Sequence, residues 1–157
     1  MEIKVNKYTI AIHREPLEIL NSFTQNSTKA PESGGIIIGK IIQGQINIIK
    51  LSVPTILDKS SRTNFERNKV SAQIILDYEF YNSNGQLTYL GEWHTHPEPF
   101  PVPSRTDLQM LKQQFKSNKI MNEFILLLIK GTKGIYLRIM DEEGFQEIKL
   151  NCSDLNI

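Results

Sequence analysis

The sequence predicts an α+β fold in which one mixed β-sheet is flanked by about three helices. Short apolar segments bounded by turn residues, which are typical of strands, occur near the start, in the middle and near the end of the chain. Three other segments carry apolar residues at helical spacing. With 157 residues, of which 39% are hydrophobic, the chain is long enough for one domain with a core and short for two. We therefore expect a single domain over residues 1–157.

The charge balance argues against two classes of partner. Eighteen Lys and Arg residues face seventeen Asp and Glu residues, the net charge is +1, and no basic run stands out. This balance gives no support for nucleic acid or a membrane surface as a partner. Residues 1–5 lack the apolar core of a signal peptide, no apolar run approaches spanning length, and the single Cys152 cannot form an intrachain disulfide. These features favour a cytoplasmic protein.

The first half of the chain combines strands with one helix. Two short strands, at residues 2–5 and 8–12, precede a helix that opens at Glu15-Pro16, since proline is tolerated in the first turn. Residues 36–42 form a continuous apolar run typical of a central strand. After a glycine-containing turn the chain returns as a strand over 46–53. We expect these last two strands to form the centre of the sheet.

The second half begins with residues 54–68, which are polar and lack periodicity. We expect a long loop there, and such loops in compact domains are often functional. The spacing of Val70, Ile74, Asp77 or Tyr78, and Tyr81 predicts a helix over 70–81. The remaining predicted elements are a strand from Leu87 into the histidines, a helix over 107–115, and strands over 124–129, 135–139 and 145–150.

The stretch from Gly91 to Asp107 holds two of the three histidines, four of the seven prolines and the only tryptophan. Side chains two residues apart in a strand point to the same face, so His94 and His96 present their imidazoles together, with Cα atoms about 6.6 Å apart. Two neutral imidazoles suit a first-row metal such as zinc. Pro97 then ends the strand because it has no N–H for pairing.

Asp107 is a candidate third ligand. It lies in the first turn of a predicted helix, three residues after Ser104, which is placed as the N-cap. If the proline-rich loop folds back, Asp107 joins the two histidines. Three protein ligands leave a fourth position open, as in catalytic zinc sites. Ser104 and Asp107 can also cap their helix, and capping does not exclude chemistry.

Hydrolysis at such a metal also needs a carboxylate that is not a ligand. Glu32 precedes Gly34-Gly35 at the start of the apolar strand, where missing side chains allow a ligand to approach the backbone closely. Glu92 lies two residues before His94, and Glu98 lies in the proline-rich loop. Spacing alone leaves all three carboxylates open.

Three segments together resemble the JAMM motif of the JAB/MPN metalloproteases. They are Glu32-Ser33-Gly34-Gly35, His94-Thr95-His96-Pro97 and Ser104-Arg105-Thr106-Asp107, with ten residues between His96 and Asp107. The resemblance covers about residues 30–107 and implies a JAB/MPN-type domain with a cytidine-deaminase-like layout. It implies that His94, His96 and Asp107 hold one zinc ion per chain, that Glu32 is the general base, and that Ser104 donates to the oxyanion. The implied reaction is hydrolysis of an isopeptide or peptide bond after the C-terminal residue of a ubiquitin-like protein.

The segment Tyr89 to Glu98 and the compact size are similar to a prokaryotic branch of that family, the deconjugating peptidases of bacterial CBASS antiphage operons. This resemblance implies a conjugated cyclic-oligonucleotide synthase as substrate, and a conjugating enzyme as its counterpart. Two alternatives remain at this stage. One is a C-terminal processing peptidase for a sulfur-carrier protein. The other is a non-catalytic MPN scaffold, which would be expected to lack ligands, whereas none is missing here.

Residues 54–68 and 98–102 flank the site in sequence, and we expect them to hold an extended substrate tail as an added strand. The candidate contacts are Arg62, Phe65, Arg67 and Glu98, although charged loop residues are more often merely solvated. Trp93 and Thr95 alternate away from the histidines. Trp93 is therefore predicted to be a core residue.

Overall fold

The computed structural model describes residues 1–118 and 123–155. The α+β prediction, with one large mixed sheet and three α-helices, is confirmed in these residues. The elements in chain order are β1 (Glu2–Val5), β2 (Tyr8–Ile12), α1 (Arg14–Ser22), β3 (Gly34–Ile42), β4 (Gln45–Leu51), β5 (Lys59–Ser61), β6 (Asn64–Glu66), α2 (Lys69–Asn82), β7 (Thr88–Thr95), α3 (Arg105–Asn118), β8 (Phe124–Lys130), β9 (Gly134–Asp141), β10 (Gly144–Asn151) and a short 3₁₀ helix (Cys152–Leu155).

The large sheet has eight strands in the order β1-β2-β4-β3-β7-β8-β9-β10. The pairs β2/β4 and β7/β8 are parallel, and the other neighbours are antiparallel. Strands β3 and β7 therefore occupy the middle, with β4 next to β3. Their pairing sets Gly34 opposite His94. This register brings the start of β3 to the end of β7.

Both faces of the sheet are buried, which explains the continuous apolar runs of its central strands. One apolar layer includes Leu17 and Leu20 of α1, and the other includes Ala72 of α2 and Leu111 of α3. Alternate residues of β8 enter opposite layers. Helix α1 thus covers one face of the sheet. Helices α2 and α3 cover the other face, on which the imidazoles of His94 and His96 lie.

Strand β7 is locally irregular at Gly91. Its φ is +156°, and the β3/β7 register shifts between Ile37 and Ile38, opposite this region. A Cβ on Gly91 would lie 2.0 Å from the carbonyl oxygen of Leu126 on β8. Glycine is required because neither the backbone angle nor the close approach of β8 accommodates a side chain.

The segment 54–68, expected to be an irregular loop, contains the small hairpin β5–β6. Strands of three residues are too short to show a period of two, so the sequence pattern did not reveal them. The carboxylate of Asp58 accepts hydrogen bonds from the N–H groups of Thr55 and Asn68, each at 2.6 Å, which closes the base of the segment. The prediction of an irregular loop was therefore wrong for residues 59–66, which form an ordered hairpin.

The two edges of the large sheet approach each other, because β1 lies against β10. The hydroxyl of Tyr8 donates to the Asp141 carboxylate at 2.7 Å, and the Lys7 ammonium lies 3.0 Å from the same carboxylate. The β1–β2 turn is thereby fastened to the β9–β10 turn.

Within the described residues, no helix combines the length and apolar character needed to cross a membrane.

Candidate metal centre

Two imidazoles converge at the end of β7. His94 is the penultimate residue of the strand and His96 follows its last residue, Thr95. Their Nε2 atoms lie 3.1 Å apart, and the two side chains are only 6% and 10% exposed. The convergence predicted from the period of two is present in the structure.

Asp107 completes a group of three possible ligands. Its Oδ1 lies 3.2 Å from Nε2 of His94, and its Oδ2 lies 3.5 Å from Nε2 of His96. In a tetrahedral zinc site with bonds of about 2.0–2.1 Å, neighbouring ligand atoms are separated by about 3.3–3.4 Å. The His94–His96 and His94–Asp107 separations match this spacing, and the second carboxylate oxygen of Asp107 lies near His96, so the three residues could hold one metal ion.

The Asp107 carboxylate is ionised in this setting. Burial opposes its charge, but hydrogen bonds with His94 and His96 hold the pKa of the Asp107 carboxyl well below its usual range. A metal ion requires the deprotonated carboxylate. At neutral pH the Asp107 carboxylate is therefore already in the deprotonated form that binds a cation.

Ser104 and Asp107 form a reciprocal capping pair at the start of α3. The N–H of Ser104 donates to Oδ2 of Asp107 at 2.6 Å, and the N–H of Asp107 donates to the Ser104 hydroxyl at 3.1 Å. This pair resembles a capping box and fixes the side chain of Asp107. The Ser104 hydroxyl accepts from Asp107 N–H and also lies within hydrogen-bonding reach of the Asp107 carboxylate.

Glu32 reaches the same place from the segment before β3. Its Oε1 lies 3.9 Å from Nε2 of His96, and its side chain is 7% exposed. Burial raises the pKa of the Glu32 carboxyl to about 7, although the neighbouring His96 lowers it. A carboxyl group with that pKa can both accept and release a proton near neutral pH.

The backbone of Glu32 is held by the β5–β6 hairpin. Its N–H donates to the Ser61 carbonyl at 2.7 Å, and its carbonyl accepts from the Ser60 hydroxyl at 2.8 Å. Phe65 of the same hairpin lies over Gly34, where a Cβ would come within 2.5 Å of the phenyl ring. The two glycines after Glu32 thus make room for neighbouring groups, since a Cβ on Gly35 would meet Ser52 at 2.3 Å.

Glu92, the carboxylate that spacing left as a competitor of Glu32, is occupied. Arg67 binds it through Nε and Nη2 at 2.7–2.9 Å, and the Tyr89 hydroxyl donates to it at 2.8 Å. Its side chain is 6% exposed. Burial beside this carboxylate raises the pKa of the Tyr89 hydroxyl well above its ordinary value. The Arg67–Glu92 pair was not foreseen from the sequence, because its partners lie 25 residues apart.

Glu98 lies on the outer side of His96. Its Oε2 is 3.4 Å from Nδ1 of His96, and its side chain is 55% exposed. The Glu98 carbonyl accepts from Thr132 N–H at 3.0 Å, and the Pro99 carbonyl accepts from Lys133 N–H at 2.9 Å. The proline-rich loop is therefore fixed to the β8–β9 turn.

A cleft of about 600 Å³ joins these groups. Its lining residues come from the segment before β3, the β5–β6 hairpin and the residue after it, β7, the loop between β7 and α3, and α3 itself. They include Glu32, Phe65, Arg67, Glu92, His94, His96, Glu98, Ser104, Asp107 and Met110. Arg62 does not line the cleft; its guanidinium donates to the Ser27 carbonyl at 3.1 Å.

The residues predicted to face away from the metal do so. Trp93 is 1% exposed, and its indole N–H donates to the Ser52 carbonyl at 2.9 Å. The Thr95 hydroxyl accepts from Ser33 N–H at 2.9 Å, which joins β7 to the segment that carries Glu32.

Comparison with known proteins places this arrangement in a family. Residues 22–142 match the prokaryotic homologs of the JAB domain. Three similar proteins are each named CD-NTase/cGAS isopeptidase. The one from Escherichia coli is 36% identical, with 89% of this chain and 87% of that protein covered. The one from Vibrio cholerae is 36% identical, with 79% of this chain and 77% of that protein covered. The one from Pseudomonas aeruginosa is 29% identical, with 88% of this chain and 87% of that protein covered.

The fold also matches the solution structure of a Desulfitobacterium hafniense protein, with a TM-score of 0.55 and 16% identity. The match covers 88% of this chain and 89% of that protein.

Proposed function

This chain belongs to the family of prokaryotic JAB-domain homologs, and from that premise we propose that it is a zinc-dependent isopeptidase that releases a CD-NTase from proteins to which its C-terminus is conjugated. The observation that carries the proposal is the convergence of His94, His96, Asp107 and Glu32 on one cleft. The relatives named CD-NTase/cGAS isopeptidase support the substrate class.

The metal ligands in this proposal are His94, His96 and Asp107, which hold one zinc ion per chain. Two imidazole nitrogens and one carboxylate oxygen form a donor set that zinc accepts, and the three protein ligands leave one position open. When bound, zinc supplies Lewis-acid polarisation of the scissile carbonyl and makes water more acidic.

Glu32 moves the proton in the proposed reaction. Its carboxylate accepts a proton from the water whose oxygen attacks the carbonyl carbon. It then delivers that proton to the nitrogen as the C–N bond breaks, so that the lysine or α-amine leaves neutral. Burial raises the pKa of this carboxyl above its ordinary value, which favours its taking up the proton.

Ser104 stabilises the negative charge that develops on the carbonyl oxygen. Its hydroxyl lies in the cleft beside Asp107 and carries one O–H donor, which in this proposal is directed to the carbonyl oxygen. A single donor of this kind can contribute about 3 kcal/mol to the transition state.

The substrate tail lies in the cleft between the β5–β6 hairpin and residues 98–102. An extended tail can pair with a strand edge and place alternate side chains in pockets. Phe65 and Glu98, one from each of these segments, both line the cleft. Arg62, at the hairpin turn, contacts substrate outside the cleft. Arg67, held by Glu92, acts by positioning the hairpin.

The experiment is the incubation of the zinc-loaded protein with a CD-NTase joined through its C-terminus to a target lysine. Intact-mass analysis should reveal free CD-NTase with its original C-terminus and an unmodified target lysine. Glu32→Ala should retain zinc and lose cleavage, whereas Glu18→Ala, on the exposed side of α1, should cleave normally. Cleavage of a precursor extension from a sulfur-carrier protein, with the CD-NTase conjugate left intact, would replace this substrate assignment.

A further inference from the structure

Helix α2 is apolar on two opposite sides. Its inner side contributes Ala72, and partly buried Ile75 and Leu76, to the core. Its outer side carries four large apolar residues: Val70, Ile74, Tyr78 and Tyr81, which are 67%, 63%, 66% and 76% exposed. The sequence spacing that predicted the helix therefore belongs to its exposed face. A helix that is apolar all round is ordinarily buried all round.

The apolar surface continues beyond the helix. Ile56 and Leu57 are 101% and 58% exposed. Their loop is held at the N-terminal end of α2, because the hydroxyls of Thr55 and Ser71 lie 3.4 Å apart. A contiguous exposed apolar surface of this kind marks a protein interaction site more often than chance.

The four exposed apolar residues Val70, Ile74, Tyr78 and Tyr81 form a stripe along the outer face of α2. Charged residues lie beside this stripe in a definite order. Lys69 and Asp77, eight residues apart, lie on the same side of the stripe, with Gln73 between them. Gln73 donates to Asp77 at 2.8 Å. In the described part of the chain, no ion pair joins Lys69 or Asp77 to another side chain. One end of the flank is thus positive and the other is negative.

We propose that the outer face of α2 binds a second copy of this chain, with the two helices antiparallel about a two-fold axis close to Ile74. With a two-fold axis level with the helix between Gln73 and Ile74, residues whose numbers add up to about 147 lie beside each other. Ile74 then lies beside Ile74 of the other copy, Val70 lies near Tyr78, and Lys69 lies near Asp77, each offset by about 1.5 Å along the helix. Only the antiparallel arrangement brings Lys69 close to Asp77 of the other copy, because a parallel two-fold pairing would place the two copies of this flank on opposite sides of the contact.

The two-fold symmetry also brings apolar residues together at both ends of the contact between the helices. Tyr81 of one copy reaches toward the N-terminal end of α2 of the other, where Ile56 and Leu57 lie. Apolar groups thus cover apolar groups along the whole helix. The charged flank determines the orientation, since complementary charges favour one docking mode over the others.

The test is the molar mass in solution, measured by light scattering and sedimentation from low to high micromolar concentration. The expected mass of the native protein at high concentration is twice that of the 18.0 kDa chain. Ile74→Arg sets two arginines against each other at the axis and should give a monomer. Ile42→Arg is the matched control, because Ile42 is also exposed but lies at the end of β3. It should leave the dimer intact.

Charge exchange tests the antiparallel order. Lys69→Glu and Asp77→Lys alone should each weaken the dimer about tenfold or more, since like charges then face each other. The double variant should recover native affinity. An equimolar mixture of the two single variants should form heterodimers, because both facing pairs are again opposite in sign. Circular dichroism confirms that each variant is folded.

A monomer at all concentrations would overturn the proposal, as would a dimer that survives Ile74→Arg. Failure of the mixed single variants to associate would overturn the antiparallel order. None of these measurements needs substrate or zinc. The proposal therefore stands or falls separately from the proposed isopeptidase activity.

Discussion

The guanidinium of Arg67 holds the carboxylate of Glu92 through three contacts of 2.7–2.9 Å. The two side chains are 17% and 6% exposed, so water is largely excluded from the pair. The contact ties the chain after β6 to β7, two residues before His94. It therefore links the wall of the cleft to the strand that carries the histidines.

Removing Arg67 should strongly destabilise the fold. In Arg67→Met the Glu92 carboxylate remains buried beside Tyr89 without its cation, which typically costs about 3–5 kcal/mol. Urea unfolding at pH 7 measures the change in the free energy of unfolding. Arg62→Met is the control, since Arg62 is exposed and donates only to the Ser27 carbonyl among its described contacts. Equal losses in both variants would contradict a special role for the buried pair.

Zinc content should follow the three proposed ligands. Protein purified without chelator should contain about one zinc per chain. His94→Ala and Asp107→Ala should lose most of this zinc, and their melting temperature should fall, because metal bound only to the folded state stabilises it. Elemental analysis and calorimetry provide both readouts. His13→Ala should keep its zinc; native zinc in His94→Ala would refute the assignment of that ligand.

Ser104 should show two separable effects. Ser104→Ala should reduce the stability of the fold by about 1 kcal/mol through loss of the cap. It should also lower kcat by about a hundredfold or more through loss of the oxyanion donor. Ser104→Thr retains a capping hydroxyl and should recover both. An alanine variant with reduced stability and native kcat would leave Ser104 as a helix cap alone.

Gly91 should not tolerate a side chain. Gly91→Ala sets a Cβ 2.0 Å from the Leu126 carbonyl oxygen at a φ of +156°, so we expect a loss of about 3 kcal/mol or more. Gly44→Ala is a matched control, because Gly44 has a φ of +80° and nothing within 4 Å of the added Cβ. Its cost should be about 1 kcal/mol, from backbone conformation alone. Similar losses at both positions would argue against steric exclusion at Gly91.

The junction between the two sheet edges should depend on pH. The Tyr8 hydroxyl, together with Lys7, holds the pKa of the Asp141 carboxyl below its ordinary value. The stabilisation is therefore present above the unfolded-state pKa of about 3.9 and is lost as the pH falls through the folded-state pKa. Asp141→Asn should be less stable than the native protein at pH 7, and the difference should shrink at about pH 3. Glu143→Gln, at an 80% exposed position, should show a smaller difference at pH 7.

Local sequence rules predicted the parts of the site that lie close together in the chain. The alternation of side chains along a strand predicted that the imidazoles of His94 and His96 share one face, and they do. The capping pattern predicted that Ser104 and Asp107 share one helical turn, and they do. These relations depend on a few consecutive residues. The motif resemblance then supplied the family, which the comparison confirms over residues 22–142.

Relations between distant segments were not predictable from spacing. Spacing left Glu32, Glu92 and Glu98 open, and only the motif resemblance favoured Glu32. The structure separates Glu32 from Glu92, because the β3/β7 register sets Gly34 opposite His94 and Arg67 binds Glu92. Periodicity identified α2 but could not tell which apolar side faces the core, because both sides are apolar. The three-residue strands of β5–β6 were missed because they are too short to show alternation.

The pairing of Gly34 with His94 also limits how this protein can change during evolution. Inserting or deleting one residue between Gly91 and His94 would turn both imidazoles to the opposite face of the sheet, because side chains alternate along a strand. A change of two residues would restore the face but would displace the histidines along the strand by about 6.6 Å, beyond the reach of Glu32. Length variation is therefore expected in the loops around the cleft, whereas the length of β7 must stay fixed.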